Sequence, residues 1–142
     1  MYIADGKTNG PAFSWPDGKR IAVMVTFDYD AEFLRISRAK SKGTSIGFTD
    51  FSRGQYGPHE GLARCLDMLD TMNIKSTFFV PGAVIETYRD TVEEIHRRGH
   101  ELACHGYRHE SDPELSRDEM IKILEKSEAL LAEITGKKPV GH

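Results

Sequence analysis

Two hydrophobic periods alternate along this chain. Residues 21–27 are almost all apolar and rich in β-branched side chains (Ile21, Val23, Val25), which predicts a parallel strand covered on both faces. Residues 31–58 show little periodicity, carry several Gly and Ser, and read as a long connection without regular structure. Helical spacing returns at Leu62, Cys65, Leu66 and Leu69, in a helix expected to begin near His59 and to end at Asn73. Residues 75–80 predict a second strand, which Pro81-Gly82 stops. A helical stretch over 83–98 follows, with a break expected near Asp90 and a C-cap at Gly99. Residues 101–104 predict a short third strand, with His105 at its carboxyl end. Ser116 and Glu119 form a capping box that starts a last helix, capped by Gly136. Residues 137–142 read as the entry to a fourth strand.

Strand, helix, strand, helix, strand, helix is a parallel α/β order. Right-handed crossovers place every strand's carboxyl end on one edge, where such folds keep their sites. Residues 1–20 are punctuated by Gly6, Gly10, Pro11, Pro16 and Gly18 and read as an N-terminal arm, pinned by Phe13 and Trp15. Residues 21–142 read as the domain proper.

Composition narrows the class. The 142 residues are 39% hydrophobic and 29% charged, as in folded soluble domains. A formal charge of −3 without a long basic tract argues against nucleic acid as a partner. No apolar run approaches the roughly 20 residues that span a bilayer, so no membrane partner is expected. The N-terminus lacks a signal-peptide pattern, so a cytoplasmic location is expected. Cys65 and Cys104 read as small buried residues rather than a disulfide.

Surplus acid at the end of the first strand is the clearest sign of chemistry. Asp28, Asp30 and Glu32 lie within five residues. Period two lets Asp28 and Asp30 point to the same side. His105 and His109, four apart, can present two imidazoles together, on a helix or in a tight turn after a strand. Both pairs end strands of the same expected sheet. Two histidines and one carboxylate make a facial set with open positions, which suits catalysis more than structure. One aspartate would bind a metal and the other accept a proton from the attacking water. Glu32, Tyr56 and His59 rank below these as substrate-binding candidates. Glu60 suits the dipole at a helix start, and His96 and His100 suit surface or C-terminal dipole roles. Arg108 is expected to pair with an acid such as Asp28 or Glu110.

These residues carry a resemblance. The segment Thr26-Phe27-Asp28-Tyr29-Asp30 resembles the first motif of the polysaccharide deacetylase family, the carbohydrate esterase family 4 type. Residues 77–82 resemble its second-strand signature, and His105-Gly106-Tyr107-Arg108-His109 its histidine motif. The likeness runs over about residues 19–142. The usual first motif has two adjacent aspartates and a glycine; here Tyr29 separates the pair. That variant, with the segment 56–61, is similar to a branch with peptidoglycan deacetylases and allantoinase-like cyclic-imide hydrolases. The resemblance implies the N-terminal portion of a distorted (β/α) barrel with parallel strands, truncated before the third motif and its arginine. It implies Asp28 as general base and Asp30, His105 and His109 as ligands of a divalent metal, with zinc the first choice. It further implies hydrolysis of a non-peptide C–N bond, most often the N-acetyl group of a glycan or small amide substrate. Ring opening of a cyclic imide or ureide, and a non-catalytic binding or assembly module, are the alternatives. An unpaired strand edge leads us to expect a homo-oligomer.

Overall fold

The structure, a computed structural model, describes residues 15–110 and 115–142. Three parallel strands lie in the order β1 (Thr26–Asp28), β2 (Thr77–Val80), β3 (Glu101–Cys104). Thr26 pairs with Thr77, and Thr77 in turn with Glu101. In-register residues of parallel strands share a face. Asp28, Phe79 and Ala103 therefore stand on one side of the sheet, and Phe27, Phe78 and Leu102 on the other.

The second face carries the core. Phe78, Val80, Leu102 and Cys104 pack there with Leu66, Leu69, Val84, Ile85, Val92, Ile95 and Leu131 from the helices. Phe27 stacks on Phe78 at 5.0 Å between ring centroids. The helices are α1 (Phe33–Ser41), α2 (Phe48–Tyr56), α3 (Leu62–Met72), α4 (Gly82–Thr87), α5 (Arg89–Arg97) and α6 (Arg117–Thr135). Among the described residues no helix is long and apolar enough to cross a membrane.

Several boundaries follow the sequence closely. Asn73 ends α3 in the left-handed conformation, Gly99 follows α5 at φ +78°, and Gly136 caps α6 at φ +73°. The Ser116–Glu119 capping box has both of its reciprocal hydrogen bonds. Cys104 is buried and Cys65 half-buried, both as free thiols.

Other expectations are corrected. The first strand is only three residues long. Ile21, Val23 and Met24 are 73%, 79% and 86% exposed. Strands need a partner, and β2 begins only at Thr77, opposite Thr26, with Thr77 N–H bonded to the Val25 carbonyl. Residues 31–58 are not irregular: they hold α1 and α2. Gly54, unfavourable inside a helix, and the dispersed Ser, Arg and Lys of α1 hide the helical period. The helix expected from His59 starts earlier, because α2 runs into α3 through one widened π-type turn, Gly57–Gly61. Pro58 lacks an N–H and obstructs the carbonyl four residues back, which accounts for the widening. The break expected near Asp90 in the stretch 83–98 is present, at Tyr88 between α4 and α5. Residues 137–142 form no strand, although the Cys104 N–H bonds the Gly141 carbonyl at 2.9 Å. Of the arm, residues 1–14, including Phe13, lie outside the described residues; Trp15 is 39% exposed and precedes a single 3-10 turn.

His100 is also corrected. It is not at the surface but 3% exposed, with its ring edge against Phe78. Its Nδ1 accepts the Ser76 N–H at 3.2 Å. Burial, with the Lys75 and Arg98 charges, lowers its pKa against the opposing effect of Asp70.

Candidate functional site

Asp30 and the two histidines converge beyond the carboxyl ends of β1 and β3. Pairing outlasts β1 by one residue, since the Tyr29 N–H bonds the Phe79 carbonyl at 2.8 Å. Tyr29 itself is buried, and its hydroxyl lies 2.8 Å from the Thr91 hydroxyl. Thr91 donates its own hydrogen to the Tyr88 carbonyl, so Tyr29 is the donor of that pair. Burial pushes the Tyr29 pKa up to about 12, keeping it neutral. Ala31 then turns the chain at φ +49° and leaves Asp30 at the rim.

Glu32 anchors this turn from behind. It is 4% exposed, and the Tyr88 hydroxyl lies 3.0 Å from each of its carboxylate oxygens. The backbone of Glu32 lies so close to Gly54 that a Cβ there would stand 2.5 Å from the Glu32 Cα. Only glycine permits this approach of α2 to the Asp30 turn.

The histidine loop is held by α4 and α6. Gly106 turns the chain at φ +67°, and its carbonyl accepts from the Gly82 N–H at 3.0 Å and from the Ser127 hydroxyl at 2.8 Å. The Tyr107 carbonyl accepts the Ala83 N–H at 2.8 Å. The Glu110 carboxylate closes the turn by accepting the backbone N–H groups of Tyr107 and Arg108, at 3.0 and 2.9 Å. His109, at φ +59°, is tied to α1 by a hydrogen bond from Ser37 Oγ to its carbonyl. The pair therefore sits in a tight turn after a strand, not on a helix. The Arg108 side chain lies 5.7 Å from the Tyr107 ring centroid, and Glu110 meets its backbone rather than its charge.

His105 Nε2 lies 3.6 Å from Asp30 Oδ1, and His109 Nε2 lies 3.9 Å from Asp30 Oδ2. One ligand atom from each residue falls within 4.8 Å of the others. These separations are too long for hydrogen bonds. They approach the roughly 3.3 Å between neighbouring ligands around a tetrahedral zinc. Asp30 Oδ1 and His105 Nε2 are buried and have no hydrogen-bond partner. Two facing buried atoms left unpaired are costly unless something joins them. The residues therefore fit a divalent cation. Burial raises the Asp30 pKa, opposed by His105 and His109, supported by Asp28, and opposed again by Arg38.

Asp28 is exposed, on the same sheet face as Phe79, whose ring lies 6.3 Å from that of His105. Tyr56 is 54% exposed and lies over Gly61. His59 is exposed, with its ring edge-on to Tyr88 at 6.0 Å. A cavity of about 320 Å³ opens beside His105 and His109, walled by Glu110 and by Leu115, Met120, Ile123 and Leu124.

The supports contributed by Ser37, Gly54, Ser127 and the Glu110 carboxylate were not foreseen from sequence. Only Gly54 left a trace, as a glycine inside what proves to be a helix.

Comparison with known proteins agrees with this geometry. A peptidoglycan deacetylase-like protein of Gibberella zeae is 33% identical over 125 residues, covering 87% of this chain and 36% of the relative. A peptidoglycan deacetylase of Helicobacter pylori is 34% identical over 124 residues, covering 87% and 41%. A Mycobacterium smegmatis crystal structure assigned to the polysaccharide deacetylases superposes with a TM-score of 0.79 at 39% identity, covering 94% of this chain and 46% of that one. The PuuE allantoinase structure superposes at 0.80 with 21% identity, covering 94% and 49%, and shares the fold. The chain thus spans less than half the length of these relatives, and its three-stranded parallel sheet corresponds to part of their barrel. The polysaccharide deacetylase family model matches residues 16–142, and the chain belongs to that family.

Proposed function

We propose that this chain carries the metal-holding part of a hydrolytic centre for non-peptide amide bonds, with an N-acetylated amino sugar or peptidoglycan-type glycan as substrate. The observation that carries this reading is the pair of buried, unpartnered atoms, Asp30 Oδ1 and His105 Nε2, facing each other beside His109. Asp30, His105 and His109 hold the cation. A divalent ion there, zinc by preference, supplies Lewis acidity toward an amide carbonyl and lowers the pKa of water. Asp28, exposed on the same sheet face, accepts a proton from the attacking water. Glu110 and Ser37 hold the loop that presents both imidazoles. Leu115, Met120, Ile123 and Leu124 give the neighbouring cavity an apolar wall suited to an acyl methyl group. The two unpartnered atoms favour this reading over metal-free ring opening, because a metal-free site would leave them unsatisfied.

The test is metal analysis and zinc titration of the purified chain and of its His105→Ala variant. One equivalent of zinc is expected in the parent and none in the variant. Zinc retained by His105→Ala, or absent from a folded parent, refutes the assignment. In the longer protein, release of free amine from an N-acetylated amino-sugar oligomer should disappear with the same substitution.

A further inference from the structure

Arg38 acts on Asp30 in the site described above, while the other cations of α1 have no role assigned there. Arg35, Arg38, Lys40 and Lys42 fall within residues 33–49, a run without a single Asp or Glu, in a chain whose net charge is −3. Arg35, Arg38 and Lys42 are three and four residues apart and so share one side of the helix and its C-cap. With Thr44 and Ile46 they line a surface cavity of about 230 Å³. Asp50 is the sole acid in that lining, and it is engaged by Arg35 at 3.3 Å and by Arg53 at 3.8 Å. Among the described residues, no carboxylate lies within ion-pair distance of Arg38 or Lys42, and both side chains are exposed. Like charges held this close repel one another, so the arrangement favours an anion.

The position is as informative as the charge. α1 starts at Phe33, three residues after Asp30, and Ser37 in its middle bonds the His109 carbonyl. The basic helix is therefore fixed to the rim of the hydrolytic centre. Arg38, whose charge reaches Asp30, links this basic face to that rim.

We propose that this face of α1 binds a carboxylate carried by the amide substrate itself, making the centre selective for acidic N-acyl glycans over neutral ones. The identity of the substrate rests on the hydrolase reading above; the binding of the acidic group does not.

The test is calorimetric titration of the full chain with three probes. The first is an N-acetylated amino-sugar tetramer bearing carboxylate ethers. The second is the same tetramer with those carboxylates methyl-esterified, and the third is inorganic phosphate. Two exposed charge pairs should make the acid bind about tenfold more tightly than the ester. That ratio should shrink as salt rises. It should fall to near one in an Arg38→Gln/Lys42→Gln double variant, whose exposed substitutions leave Asp30, His105 and His109 in place. His105→Ala should keep the full ratio. Phosphate that competes with the acid tetramer in the parent, but not in the double variant, supports the assigned face. Absence of an acid-over-ester preference overturns the proposal, and so does a preference that survives the double variant. Phosphate binding without that preference marks a free-anion site and also overturns it. A chain that binds no zinc yet keeps the ratio refutes the hydrolase reading alone. A zinc-loaded chain with a ratio of one refutes this inference alone.

Discussion

Replacing Gly54 by alanine sets two effects of opposite sign against each other. In an exposed helix interior, Gly→Ala stabilises by about 1 kcal/mol, because glycine loses more backbone freedom on folding. Gly54 is buried, however, and an added Cβ would stand 2.5 Å from the Glu32 Cα, 2.8 Å from its Cβ and 3.0 Å from its backbone nitrogen. Unbonded carbons prefer about 3.5–4.0 Å, so α2 and the Asp30 turn must separate by roughly an ångström. Two of the three obstructing atoms are backbone, and no rotamer change relieves them. Overpacking of this kind costs about 1–3 kcal/mol, and an obstacle of backbone places this site toward the upper end. Less the helix gain, the expected net loss is about 1–2 kcal/mol. Urea denaturation of the metal-free chain measures it, with the loss appearing as a lower midpoint at unchanged slope. Ser52→Ala, at an exposed position of the same helix, is the control and should change stability by no more than about 0.5 kcal/mol. Because Glu32 lies two residues from Asp30, Gly54→Ala should also weaken zinc binding. A variant as stable as the parent would show that the contact of α2 with the Asp30 turn does not constrain the site.

Two further outcomes follow from buried polar groups. Tyr88→Phe removes the hydroxyl that meets both Glu32 oxygens and should cost about 1–3 kcal/mol in urea denaturation; a neutral result would mean that Glu32 finds another donor. Burial lowers the His100 pKa in the fold below its ordinary value, so the unfolded chain binds more protons. The stability it contributes is complete above about pH 6.5 and is lost as pH falls toward the folded-state pKa. His100→Gln should flatten the metal-free stability curve below about pH 6.5, and a slope identical to the parent's would refute this role.

The elements that repeat a strong local signal were legible before any coordinates. The cap at Ser116–Glu119, the left-handed stop at Asn73, and the glycines at 99 and 136 follow from backbone rules that act within a few residues. The helices at 33–41 and 48–56 were not legible. α2 packs on the Asp30 turn, and the residue that permits this approach, Gly54, weakens the local helical signal. His100 was misplaced for the same reason. A histidine near a helix end reads as solvated, and only the approach of Ser76 and Phe78 from a distant strand buries it.

For the site, the sequence by itself determined the chemical types and their order along the chain: acids ending one strand, imidazoles following another. Period two and a parallel α/β order suffice for that, because both are local or topological rules. Tertiary structure decided the geometry in which Asp30 meets both histidines, and that Glu32 is buried behind the Asp30 turn. The spacing between Asp30 and His105 is bridged by the β1–β2–β3 register and by hydrogen bonds from α4, α6 and α1 to the histidine loop. Each of those contacts joins residues far apart in the chain. Local preferences carry no information about such distances, and packing supplies it.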